Sequence, residues 1–202
     1  MKSESIEENR SMRGVIVHEM GHYVVAKALG FQVLHLAIHR EAHRLQRHIF
    51  HGAANTAFIS PINNDEELET YLKARIMVLN AGSLAQAFDG TTVDAVRLRS
   101  IRSDNGTDDL GKANELFVLF LNRRIAKGLD YEYAESTRWP EHYFWQECEE
   151  AATTIIRDNW KAIERVVTDA ERVLQSCDCY GRAAEQLARI GWDEPVSLSS
   201  DI

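Results

Sequence analysis

Apolar residues recur at helical spacing through Val17, Val24, Ala28 and Leu29. A capping-box pattern, Ser5-Ile6-Glu7-Glu8, precedes them, and Gly30, a ready helix stop, follows. The chain should therefore open with a helix over about residues 5–30. The next run, "FQVLHLAIH" from Phe31 to His39, is short, aliphatic and partly alternating; "HIFHGAANTAFIS", from His48 to Ser60, ends at Pro61. Both suit strands, and together they suggest a hairpin with a histidine-rich turn.

Asn64-Asp65-Glu66-Glu67 is a second cap, and Leu68, Leu72, Ile76, Leu79 and Leu84 carry a helix to about Phe88, where Asp89-Gly90 stops it. Residues 91–107 read as a loop with a short apolar interlude from Val93 to Ile101. A helix follows from near Asp108 to Lys127-Gly128. After a Tyr-rich linker, Pro140 opens a long helix to about Gln175, and a last helix covers Gly181 to Ile190. The fold class expected is mainly α with a small β-sheet or hairpin, as one domain over 1–202. Its parts are 1–61, 62–128 and a helical tail over 139–202.

Composition narrows the classes. With 202 residues and a hydrophobic fraction of 45%, the chain can build a core. A net charge of −8 lacks the basic footprint of a nucleic-acid binder, and the clusters at Arg40 to His51 and at Arg97, Arg99 and Arg102 read as solvated surface. No run approaches the ~20 apolar residues of a membrane span. The start, MKSESIEENR, is too acidic for a signal peptide, so the expected location is the cytoplasm. Cys148, Cys177 and Cys179 form no disulfide framework and lack the second pair that a structural zinc site requires.

One stretch of the first helix carries chemistry. In "VIVHEMGHYVVA", His18 and His22 are four residues apart, so both imidazoles project from one face, near enough to share a metal ion. Glu19 points beside such an ion, where a carboxylate can take a proton from water. Gly21 leaves the helix bare for close approach of another element. A catalytic zinc takes a third protein ligand. The extension HExxHxxGxxH is absent, since Val25 and Ala28 occupy its positions. Chemistry alone leaves several candidates: Glu66, Glu67 and Glu69, which a helix dipole also explains, and the acidic residues of "DNGTDDL", Asp104, Asp108 and Asp109.

These blocks, in order, resemble the peptidase domain of the FtsH-type AAA+ zinc metalloproteases. The family's HEAGH helix looks like "VIVHEMGHYVVAKAL", and its strand pair looks like 31–61. Its small-residue helix LLGGRAAEEL is similar to "VLNAGSLAQAFDG", and its TGASNDLxxAT segment to "NGTDDLGKAN". The tail, 141–190, matches in pattern only. The resemblance implies an FtsH-peptidase-like zincin helix bundle, with Zn²⁺ on His18, His22 and Asp109 and with Glu19 as general base. Asp108 takes the family's asparagine position. Gln86 stands where the family has a glutamate supporting a ligand histidine, and an amide there raises ligand basicity less. The stretch from Gly90 to Gly106 is longer than the family's connection and suggests an added flap or partner-binding loop.

With 17 residues before His18, neither an ATPase module nor membrane helices are expected ahead of the motif. The expected activity is that of a stand-alone, ATP-independent zinc metalloendopeptidase acting on unfolded or flexible protein segments. Residues 53–59 are expected to form the edge on which substrate lies, and an unfoldase or regulatory protein to be a separate partner. The family's six-membered rings raise a homo-oligomer. The competing expectation is a non-proteolytic binding or regulatory protein that retains the fold. His35, His39, His43, His48 and His51 read as exposed surface rather than a second metal site. Trp139, Tyr143, Phe144 and Trp145 read as core or packing surface.

Overall fold

The computed structural model describes residues 11–42, 48–104, 106–129, 142–176 and 188–190. Among these the chain is mainly helical with a small antiparallel sheet. The helices are α1 (Met12–Ala28), α2 (Asp65–Ala87), α3 (Ala95–Arg102), α4 (Thr107–Ala126), α5 (Tyr143–Asp158) and α6 (Trp160–Ser176). The strands are β1 (Gln32–Ala42), β2 (His48–Ala57) and β3 (Ala188–Ile190), in the spatial order β2-β1-β3. No helix among the described residues is long and apolar enough to cross a membrane.

α1 is buried on all sides from Gly14 to Ala26, which is why its sequence is apolar all round rather than along one stripe. It is enclosed by α2, the β1-β2 hairpin, α5 and α6. α2 starts exposed, where Asn64 Oδ1 accepts from the Glu67 amide, and becomes buried from Ile76 to Ala87. The two helices cross at backbone contact. A Cβ on Gly21 would lie 2.4 Å from the Ala81 carbonyl oxygen, so the bare side noted in the sequence is the crossing point. Phe117, Phe120, Phe144 and Trp145 stack behind α2. Phe144 and Trp145 are thus core, whereas Tyr143 is exposed and Trp139 lies outside the described residues.

Several boundaries differ from the sequence reading. The helix that carries the histidines begins at Met12: Ser11 is extended, and its hydroxyl accepts from the Gly14 amide, so the cap is there. The Ser5 capping box lies outside the described residues. β1 runs three residues further than expected, because pairing with β2 continues to Ala42↔His48. β2 stops at Ala57.

The stretch 91–107 is not simply a loop. Asp94 caps α3 by accepting from the amides of Val96 and Arg97, and Ile101 is fully buried. Arg102 binds Asn80 Oδ1 of α2 and Glu149 of α5, tying the segment to the core. An added flap is therefore not what this segment is.

The long helix expected from 140 to 175 is two helices. Asn159 donates from Nδ2 to the Ile155 carbonyl, while its own carbonyl accepts from Ala162 and Ile163 and starts α6. The last helix is also corrected at its end. Ala188–Ile190 form β3, paired as Leu36↔Ile190 and Ile38↔Ala188, because the open edge of β1 offers ladder hydrogen bonds that no local pattern reveals. The rest of 181–190, the Tyr-rich linker, Pro140, Cys177 and Cys179 fall outside the described residues. Cys148 is a free, buried thiol, with burial pushing its pKa up to about 12.

Candidate metal centre

Two elements converge on one point. α1 supplies His18 and His22 on a single face, and the first turn of α4 supplies Asp109. Asp109 Oδ2 is 3.1 Å from both His18 Nε2 and His22 Nε2. The three ligand atoms lie within 4.8 Å of one another. Two ligands about 2.1 Å from a tetrahedral zinc are themselves roughly 3.4 Å apart, which is near the two oxygen–nitrogen separations of 3.1 Å.

The far side of each ring is fixed. His22 Nδ1–H donates to the Val78 carbonyl at 2.7 Å, and His18 Nδ1–H donates to Gln86 Oε1 at 3.1 Å. A carbonyl only accepts, so a proton is held on Nδ1 and Nε2 is left to face Asp109, with a proton toward the carboxylate or a lone pair toward a cation. Both partners belong to the buried half of α2, as does Gly82. A Cβ at Gly82 would lie 2.4 Å from His22 Nε2 and 2.6 Å from His18 Nε2. The rings occupy the volume that any other residue at 82 would fill.

Burial opposes a charge on His22, but hydrogen bonding to Asp109, the charges of Asp109 and Glu19, and the Val78 carbonyl outweigh it and raise its pKa to about 9. Burial likewise disfavours the Asp109 carboxylate, yet His18 and His22 hold it well below the usual carboxylate range. The centre is therefore a buried anion that demands positive charge, from protons or from a cation.

Asp108 points the other way. Its side chain is 81% exposed and pairs with Lys112 at 2.5 Å. Successive helical residues differ by about 100°, so only one of the pair can face the histidines. Glu66 is exposed, Glu67 caps its own helix with Asn63 and Asn64, and Glu69 pairs with Lys127 and Arg124. Asp104 is also outside the converging group.

Glu19 is buried beside the histidines and lines a cleft of about 530 Å³ that the three converging residues share. The opposite wall is β2 with Phe58, and Arg75, Asp108 and Lys112 lie along the rim. A Cβ on Gly52 would lie 2.2 Å from Glu19 Cγ, so glycine there lets the strand close over the carboxylate. β2 is an edge strand, and its residues from Phe50 to Ala54, with Thr56, border the cleft.

Sequence reasoning did not single out Val78, Gly52, Thr56, Arg75 or Lys112. Only Gly82 had a local signal, in the small-residue run Ala81-Gly82-Ser83. Among the five downstream histidines, His35 accompanies Asn55 at 3.0 Å, whereas exposed His51 borders the cleft. The side chains of His39, His43 and His48 lie outside the described residues. Comparison of the chain with protein-family models, curated proteins and solved structures gave no match.

Proposed function

We propose that the protein is a zinc-dependent metalloendopeptidase, of the FtsH peptidase type, that hydrolyses peptide bonds in unfolded or flexible protein segments without ATP of its own. The observation that carries this reading is the convergence of His18, His22 and Asp109 with Glu19 beside them, in a cleft walled by an edge strand. Zinc, when bound, supplies Lewis acidity toward a peptide carbonyl and toward water. His18, His22 and Asp109 would hold it, and the Val78 carbonyl and Gln86 keep the rings oriented.

Glu19 accepts a proton from the attacking water and returns one to the leaving amine nitrogen. The cleft-side groups of β2 from Ala53 to Ala57 pair with an extended substrate backbone, a mode that selects flexible chain over particular side chains. Phe58 and Ile59, expected as part of that edge, lie beyond the strand. The cysteine pattern supports a cytoplasmic site of action, and an unfoldase partner would supply substrate in accessible form.

Gln86 favours a second reading, a non-proteolytic binding protein with the same centre, because its amide adds no charge behind His18. One experiment separates the two. Wild-type protein and Glu19→Gln are compared for cleavage of casein, with zinc content measured in both. The peptidase reading expects zinc in both proteins and a loss of activity of roughly 10²–10⁴-fold in the variant. Wild-type protein that binds zinc but leaves casein intact would favour the binding protein.

A further inference from the structure

The cleft contains two polar groups that nothing in the peptidase chemistry uses. Arg75, on α2, lines the cleft with its guanidinium carbon 3.4 Å from the centroid of the Phe58 ring. Its Nη1 is buried and has no hydrogen-bond partner among the described residues. No carboxylate among those residues pairs with it either, although ion pairs do engage Lys112 at the same rim. Thr56, on the edge strand, lines the cleft too, and its Oγ1 is likewise buried without a partner among the described residues.

Two unpartnered buried donors in one cleft are costly unless a ligand completes them. Their chemistry is complementary to an anion: a planar guanidinium offers paired N–H groups, and a hydroxyl can add a third. The ring of Phe58 fixes the guanidinium plane, and Tyr71 fixes the Phe58 backbone by donating its hydroxyl to that carbonyl at 3.0 Å. Burial pulls the Arg75 pKa below its ordinary value, which is the behaviour of a cation lacking its counter-charge. Of the other charges along the cleft, Glu19 is the carboxylate assigned to the attacking water. Asp108 is matched by Lys112, and Asp109 faces His18 and His22.

We propose that Arg75 and Thr56 form an anion subsite that takes a carboxylate of the bound peptide, either an acidic side chain near the scissile bond or the chain's own C-terminus. The occupant is a peptide on the reading of the cleft given above, so the inference rests on that reading. A free C-terminus in this subsite would make the enzyme trim chain ends, whereas an acidic side chain would direct internal cuts. Lysine is a poor substitute for Arg75, since an ammonium cannot stack on Phe58 or offer a planar fork.

The test is a binding measurement on the full-length Glu19→Gln protein, which needs no turnover. Three fluorescein-labelled decapeptides of one sequence are compared by anisotropy: a central Glu with an amidated end, a central Gln with an amidated end, and a central Gln with a free carboxylate. The subsite predicts that one carboxylate-bearing peptide binds about tenfold tighter than the Gln amide. Which one it is identifies the source of the carboxylate. Adding Arg75→Met should erase the difference while leaving the Gln amide unchanged, and Arg75→Lys should not restore it.

Equal binding of all three peptides, or no binding of any, overturns the proposal, as does a preference that survives Arg75→Met. If thermal melting shows Arg75→Met to be unfolded, Thr56→Val decides. The preference should fall about threefold in that variant, and a preference left whole counts against the subsite. Failure of the peptidase reading would appear separately, in the casein assay, and would leave these affinities readable.

Discussion

The two walls of the cleft are built differently. On the α1–α2 side, every group that positions the histidines is buried and paired: Val78 and Gln86 hold the rings, Gly82 makes room for them, and Gly21 sets the helix crossing. On the β2 side, the strand is an edge, Ala53 and Asn55 are exposed, and Thr56 keeps a hydroxyl without a partner among the described residues. The first wall resembles a protein interior and fixes geometry to a fraction of an ångström. The second has unsatisfied backbone and side-chain groups, as a surface must if it is to accept a ligand. Tight packing and open valence are thus divided between helices and strand.

The sharpest way to break this contrast is at Asp109, the one converging residue outside α1. Asp109→Ala should lose zinc almost completely, with more than the ~10–100-fold drop in affinity that loss of a ligand's orienting partner produces. Asp108→Ala, which removes only an exposed pair with Lys112, should keep it. Equal zinc contents by elemental analysis of the two purified variants would undo the assignment. One step smaller is Gln86→Ala, which frees the His18 ring. Zinc affinity in a competition titration should fall by about 10–100-fold with the fold unchanged, and Gln86→Glu should raise it above wild type.

The opposite wall should respond in another observable. Gly52→Ala forces a Cβ into Glu19 while leaving the histidines alone, so zinc should remain and kcat should fall, by about tenfold or more if the carboxylate moves by ~1 Å. Loss of zinc in that variant would show that the walls are coupled after all. The smallest effect belongs to neither wall. Arg13 of α1 pairs with Glu164 at 2.5 Å and Glu171 at 2.8 Å on α6, half in solvent. Arg13→Ala should cost about 0–1 kcal/mol in urea unfolding and leave casein cleavage unchanged.

Much of the helical wall was legible in the chain. His18 and His22 share a face because helical spacing places residues i and i+4 together, and α1 is apolar on all sides because it is buried on all sides. Asn64 announced α2 through a cap whose bonds are local. Other elements were misread, most of them fixed by distant contacts. Asn159 breaks α5 from α6 inside an otherwise periodic run. α3 lies in a stretch that reads as a loop with an apolar interlude, and its Ile101 counts as core only once α2 is beside it. β3 owes its form to the edge of β1, some 150 residues earlier in the chain. Arg75 and Thr56 stood out in no motif, since what marks them is the absence of partners among the described residues.

The sequence by itself determined that two imidazoles and a carboxylate lie along one turn of a buried helix, that an acidic pair opens a later helix, and that small residues line the helix between. These follow from backbone periodicity and capping, which act within a few residues and need no fold. The tertiary structure alone decided which aspartate turns inward, which glycines yield their volume to His18, His22 and Glu19, and where the cleft holds a cation that no carboxylate among the described residues matches. Those are matters of packing and long-range pairing. A side chain's partner is set by which elements cross, and no spacing along the chain records that.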